Sequence, residues 1–169
     1  MVGGIRNRKL KGQARSALAL LAFMAACFGA ALVGSAFTAP SVPEWYEGLV
    51  KPSFTPPSWL FGPVWSVLYL AMAIAGWLVW RRQRESSTTL PLALFGGQLL
   101  LNVLWSDLFF GLQASGIALI EILTLWVVIL ATLLSFWRIS PIAGWLFVPY
   151  LAWVSFASIL NVEIWRLNS

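Results

Sequence analysis

Three sets of side chains, spaced three, four or seven residues apart, put amides, hydroxyls and aromatic rings on common helical faces. Gln98, Asn102 and Ser106 recur every four residues, with Trp105 and Phe109 flanking them. Tyr150, Trp153, Ala157 and Asn161 form a second stripe, and Trp65, Tyr69 and Gly76 a third. Such stripes offer flat π faces and a few hydrogen-bonding groups, the chemistry that holds a flat apolar ligand. The same amides also serve as glue between helices in lipid. No set supplies an acid–base or nucleophilic constellation.

Histidine is absent from the chain. That removes the commonest general base, the commonest metal ligand and the usual proximal ligand of haem. The single cysteine, Cys27, lies within an apolar run, has no internal disulfide partner and is expected to be a small buried side chain. Asp107, Glu121 and Glu163 fall within or near apolar segments. A proton relay is conceivable, but the three share no obvious helical face, and Asp107 and Glu121 sit near helix ends that water can reach.

The elements that must position these stripes are membrane helices. The chain is 60% hydrophobic and only 10% charged, against roughly 25% charged in soluble domains. Five segments are long enough to cross a hydrocarbon core, which takes about 20 residues: roughly 16–37, 59–80, 90–112, 115–137 and 141–165. The first has the basic start of a signal peptide, but its apolar stretch is too long for one. The reading is an all-α integral membrane protein. It has a basic N-terminal arm (1–15) and a five-transmembrane-helix bundle (16–168), with a structured aromatic loop (38–58) between helices 1 and 2. The turns near Gln113–Gly116 and Arg138–Pro141 are tight, so the helices they join are expected to be antiparallel neighbours.

A net charge of +5 does not point to nucleic acid, because the basic residues bracket the apolar segments. With the N-terminus inside, nine lie on the inner side: Arg6, Arg8, Lys9, Lys11, Arg15, Arg81, Arg82, Arg84 and Arg138. Only Lys51 and Arg166 lie outside. The bias predicts a cytoplasmic N-terminus, with the aromatic loop and C-terminus facing away. Ala22, Ala26, Ala30 and Gly34 recur every four residues, as do Ala93 and Gly97. Small-residue ridges of this kind let helices approach closely. They suit packing within one bundle or a dimer interface, for which these six residues are the candidates.

From Pro43 to Tyr69 the chain reads PEWYEGLVKPSFTPPSWLFGPVWSVLY. Aromatic rings at the mouth of a membrane segment either anchor it at the interface or line a pocket. Three stripes coinciding with an aromatic lid favour the pocket.

This segment, together with QLLLNVLWSDLFFG and AGWLFVPYLAWVSFASILNVEIWRLN, closely resembles the translocator protein family, also called the tryptophan-rich sensory protein or peripheral benzodiazepine receptor family. The resemblance covers roughly residues 16–168. It implies a five-helix bundle, usually a homodimer in the lipid bilayer, that binds tetrapyrroles such as protoporphyrin IX and haem as ligands, with no required cofactor, and that transports or senses them. By motif, the ligand-binding positions would be Trp45 and Tyr46 in the lid, Trp65 on helix 2, Asn102, Ser106 and Phe110 on helix 3, and Trp153 and Ala157 on helix 5. Two departures stand out. Some relatives carry proline after the helix 3 Trp, where this chain has Ser106 and Asp107. The cholesterol motif of animal members needs a Tyr roughly where Val162 stands, which argues against a sterol as native ligand. Two other functions remain open: a porphyrin-degrading photo-oxidative enzyme working through Trp65 or Trp153, and a regulator that contacts partner proteins through helix faces.

Overall fold

The computed structural model describes residues 2–169, with side chains from Leu10 onward. Arg6, Arg8 and Lys9 therefore lie outside the described side chains. Five helices form the molecule: α1 (Val2–Glu44), α2 (Phe61–Arg81), α3 (Thr89–Ser106), α4 (Ser115–Ile139) and α5 (Pro141–Asn168). There is no strand among the described residues. All five are long and apolar enough to cross a membrane. Large apolar side chains such as Leu32, Leu100 and Ile120 are more than 70% exposed on the outside of the bundle. Water would penalise that surface, whereas lipid accepts it. The chain is an integral, multi-pass membrane protein.

The helices close into a ring in the order α1, α2, α5, α4, α3, with α3 returning to α1. Both pairs joined by tight turns, α3 with α4 and α4 with α5, are neighbours as expected. Gly144 makes the second turn possible, since a Cβ there would come within 2.6 Å of the Trp137 ring. In the half of the bundle away from the aromatic loop, Phe95, Phe136 and Phe147 form a buried aromatic cluster, with centroids 5.2–6.3 Å apart.

Two boundaries differ from the sequence reading. Residues 38–44 were expected in the loop, yet α1 runs on to Glu44 with Pro40 and Pro43 inside its last turns. Each proline removes one N–H. The Ser41 hydroxyl holds this end down by donating to the Phe110 carbonyl at 2.8 Å. The arm and the first span are thus one helix, and the loop shrinks to residues 45–60. After Ser106, α3 widens into a π-helical turn, Asp107–Gly111, closed by Leu112 N–H donating to the Asp107 carbonyl at 2.8 Å. Glycine at 111 leaves room for the Asp107 carboxylate, since a Cβ would meet its Oδ1 at 2.6 Å and the side chain would have to shift. Single π turns occur often at functional sites.

The small-residue ridge divides. Ala22, Ala26 and Ala93 lie on the exterior, whereas Ala30 and Gly97 are half-buried. Gly34 is buried against α3, and a Cβ there would lie 3.2 Å from Ser106 Oγ. It is used within the protomer, which removes it from the candidate dimer contacts. Gly76 likewise receives the Phe23 ring of α1 rather than a ligand.

Candidate ligand-binding site

At the loop end of the bundle a cavity of about 230 Å³ sits between α1, α2, α5 and the π turn. Trp65, Trp105, Trp153, Phe109 and Phe110 give it aromatic walls, with Ala157 and Leu160 on α5 opening space between the rings. The π turn makes this possible on the α3 side: neighbouring Phe109 and Phe110 both reach the cavity, their rings 4.9 Å apart and edge-on. Trp105 stacks on Phe109 at 5.0 Å, and Trp153 meets Phe61 edge-on at 5.9 Å. Rings packed against rings have little freedom to rotate, so the walls are fixed in advance.

Tyr46 closes the loop side of the cavity. It sits in a short 3-10 turn, Tyr46–Gly48. Lys51 braces that turn: its ammonium donates to the Tyr46 carbonyl at 2.7 Å and lies 4.7 Å from the Tyr46 ring centroid. The Tyr46 hydroxyl is buried and has no hydrogen-bond partner. Burial pushes its phenol above the ordinary value of 10.0, which keeps it a donor. Thr38, Ser58 and Asn161 are the other polar residues of the wall, and an unpartnered donor beside the cavity is a group that a ligand oxygen or nitrogen could satisfy.

A second space, a groove of about 370 Å³, adjoins the first between α1, α2 and α3. The two share Thr38, Phe61, Gly62, Trp65 and Trp105 in their walls. The groove also borders Phe28 and Leu32, whose exposed side chains place its mouth on the lipid-facing surface. Gly62 stands where the two spaces meet, with nothing within 4 Å of where a Cβ would project.

The sequence profile of the TspO/MBR family matches residues 23–166. The chain belongs to this family. It is 42% identical over 149 residues to the tryptophan-rich protein TspO of Chlorobaculum tepidum, covering 84% of this chain and 90% of that one. Against the translocator protein of Homo sapiens it is 42% identical over 138 residues, 80% of this chain and 82% of the relative. Against the tryptophan-rich sensory protein of Cereibacter sphaeroides it is 40% identical over 148 residues, 88% and 90%.

Of the family-motif positions, Tyr46, Trp65, Phe110, Trp153 and Ala157 all come together on the enclosed cavity. Trp45 does not line it. Trp45 packs behind the wall, edge-on to Phe109 at 5.5 Å and to Phe110 at 6.5 Å. Ser106 and Asn102 border the groove instead. Asn102 was expected to hydrogen-bond a ligand edge, but its amide is already engaged. It accepts from the Tyr69 hydroxyl at 2.5 Å and donates to Tyr150 at 3.0 Å. Tyr150 donates in turn to Gln98 Oε1 at 3.0 Å. All four groups are buried, so this chain of bonds ties α2, α3 and α5 together. The second stripe's amide, Asn161, lines the cavity but also spans helices, accepting from Trp105 Nε1 at 3.1 Å and donating to the Ser115 carbonyl at 2.9 Å.

The aromatic residues therefore divide by role. Trp65, Trp105 and Trp153 face inward, while Trp59, Trp145 and Trp165 are exposed at the bundle ends, where interface anchors belong. Phe61 and Gly62 were not singled out from sequence. They lie next to the helix start, and only the neighbouring α1 turns them into walls.

Proposed function

We propose that the protein binds a tetrapyrrole such as protoporphyrin IX across the aromatic cavity and the adjoining groove, and carries or senses it at the membrane. The observation that supports this most directly is the ring-walled cavity with one unpartnered hydroxyl, Tyr46. At about 230 Å³ the enclosed part lies below the roughly 300–1,000 Å³ of drug-sized pockets. A macrocycle must then extend over Gly62 into the groove. Its faces would stack on Trp65 and Trp153, and one polar edge would reach Tyr46.

The test is a tryptophan-quenching titration with protoporphyrin IX in detergent. Saturable quenching is expected. Trp65→Ala and Trp153→Ala should each weaken affinity roughly tenfold, because a stacked ring is worth about 1–3 kcal/mol. Trp65→Phe keeps a face and should lie between. Binding unchanged in both alanine variants, with helicity intact, would place the ligand elsewhere.

We also infer an inner N-terminus from the distribution of basic residues. A reporter fused after Ser169 should be active only on the extracytoplasmic side, and cytoplasmic activity would reverse the orientation.

A further inference from the structure

At the end of the bundle opposite the aromatic loop, α1 and the end of α2 enclose a concavity of about 730 Å³. Arg15, Arg81 and Arg84 stand in its walls beside Trp77 and Trp80. The Arg15 guanidinium lies 5.5 Å from the Trp80 ring centroid, and that of Arg81 lies 4.7 Å from Trp77. The Trp77 indole N–H donates to the Ser16 carbonyl at 2.9 Å, which fixes the ring between the two helices. Stacking orients each guanidinium plane while leaving its N–H edges available.

These three cations have no carboxylate partner among the described residues; the ion pair at this end is Arg82 with Glu85, at 2.8 Å. The chain has six acidic residues. Of these, Glu85 alone is at this end: Glu44, Glu47, Asp107 and Glu163 are at the loop end, and Glu121 is about two turns into α4 from that end. A concavity with two ring-held guanidinium groups and Arg84 in its wall, without a counter-ion among the described residues, calls for an external anion. Below the charges, Ala17 and Leu20 continue the wall toward the hydrocarbon zone, where Leu18 and Leu21 are exposed. An anion that carries apolar chains fits this layout, and free phosphate uses only half of it.

We propose that this concavity is a binding site for the phosphate headgroup of an anionic phospholipid from the adjoining leaflet. It shares no residue with the tetrapyrrole cavity, so the proposal stands apart from that reading.

Native mass spectrometry of the detergent-purified protein with dioleoylphosphatidylglycerol, dioleoylphosphatidylcholine or inorganic phosphate tests it. Phosphatidylglycerol should be retained at least tenfold more tightly than phosphatidylcholine, and inorganic phosphate should not compete at equal concentration. Arg15→Gln with Arg84→Gln should abolish the preference. Arg82→Gln with Arg138→Gln removes equal charge outside the concavity and should keep it. Arg15→Lys with Arg84→Lys should retain part of it, with thermal unfolding checking that each variant is folded. Equal loss in both glutamine pairs would mean bulk charge alone and would overturn the site. So would no preference in the parent, or displacement of the lipid by phosphate.

Discussion

The side chain of Asn168 pairs with both backbone groups of Val50. Its Nδ2 donates to the Val50 carbonyl at 2.9 Å, and its Oδ1 accepts from the Val50 N–H at 3.0 Å. The last turn of α5 thereby grips the middle of the loop over the cavity, 118 residues away in sequence. Its Nδ2 also donates to the Ile164 carbonyl at 2.8 Å, which fixes the amide's orientation. Asn168→Ala should loosen the loop without disturbing the bundle. With about 1 kcal/mol per bond, hydrogen exchange at Val50 should quicken roughly tenfold or more, and porphyrin should dissociate faster. Unchanged exchange across residues 46–57 would mean that packing, such as Phe54 against Phe156 at 6.3 Å, holds the loop unaided.

Asn102 is a bridge between tyrosines, so its removal should act on stability before binding. Asn102→Leu leaves the Tyr69 hydroxyl without its acceptor and Tyr150 without one donor, both in the buried interior. An unsatisfied buried group costs about 1–3 kcal/mol, read as a fall of several degrees in Tm. Tyr69→Phe with Asn102→Leu removes the first orphan and should recover part of the loss. A single variant as stable as the parent would show that the bridge contributes nothing.

Helical periodicity made most of the cavity legible in the sequence. Trp65, Trp153 and Ala157 belong to stripes that can only face inward in a bundle, and Phe110 came from the family motif. What remained hidden depended on partners. A stripe shows that Asn102 points inward but not that Tyr69 and Tyr150 take up its amide. The stretch from residue 38 reads as loop, yet α1 stays helical through Pro40 and Pro43, held by contacts such as Ser41 with Phe110. The π turn needs a bonding pattern that no spacing announces, although Gly111 carries its steric trace. Asn168 is one polar residue at a chain end, and its role exists only through the loop folded over it.

Tyr46 ties the proposed ligand contact to pH. Its buried phenol holds its proton more tightly than in the unfolded chain, where 10.0 is the ordinary value. That contribution to stability is present below pH about 10 and is lost as pH rises through the folded value. Tyr46→Phe should therefore lessen the fall in stability above pH about 10. It should leave stability at pH 7 equal or slightly higher, since it deletes a hydroxyl without a partner. The same variant should bind protoporphyrin IX about fivefold more weakly, for one lost bond of about 1 kcal/mol. Full affinity in Tyr46→Phe would exclude the hydroxyl as a ligand contact.

Assembly is testable on the exterior part of the ridge. We propose a homodimer that meets through Ala22, Ala26 and Ala93, which the bundle leaves uncovered. Ala26→Leu should lower the dimer fraction in cross-linking or light scattering by blocking close helix approach. Gly34→Ala should act within the protomer instead, through its contact with Ser106, and shift Tm more than dimer fraction. An intact dimer in Ala22→Leu and Ala26→Leu would move the interface to another face.

Gly62 lines both the cavity and the lipid-facing groove, so a bulky side chain there is placed to separate them. A Cβ there meets nothing within 4 Å, so substitution should not strain the fold, and leucine favours a helix more than glycine does. Gly62→Leu should therefore fold at least as well as the parent while dividing the two spaces. If a macrocycle lies across both, the variant should lose protoporphyrin IX affinity by tenfold or more, with Gly62→Ala between. A small aromatic probe such as indole, which fits the enclosed cavity alone, should still quench or displace as in the parent. The ratio of the two effects is the discriminating quantity, because general damage to the site would weaken both probes alike. Equal affinity for the porphyrin in parent and Gly62→Leu would confine the ligand to one side of Gly62.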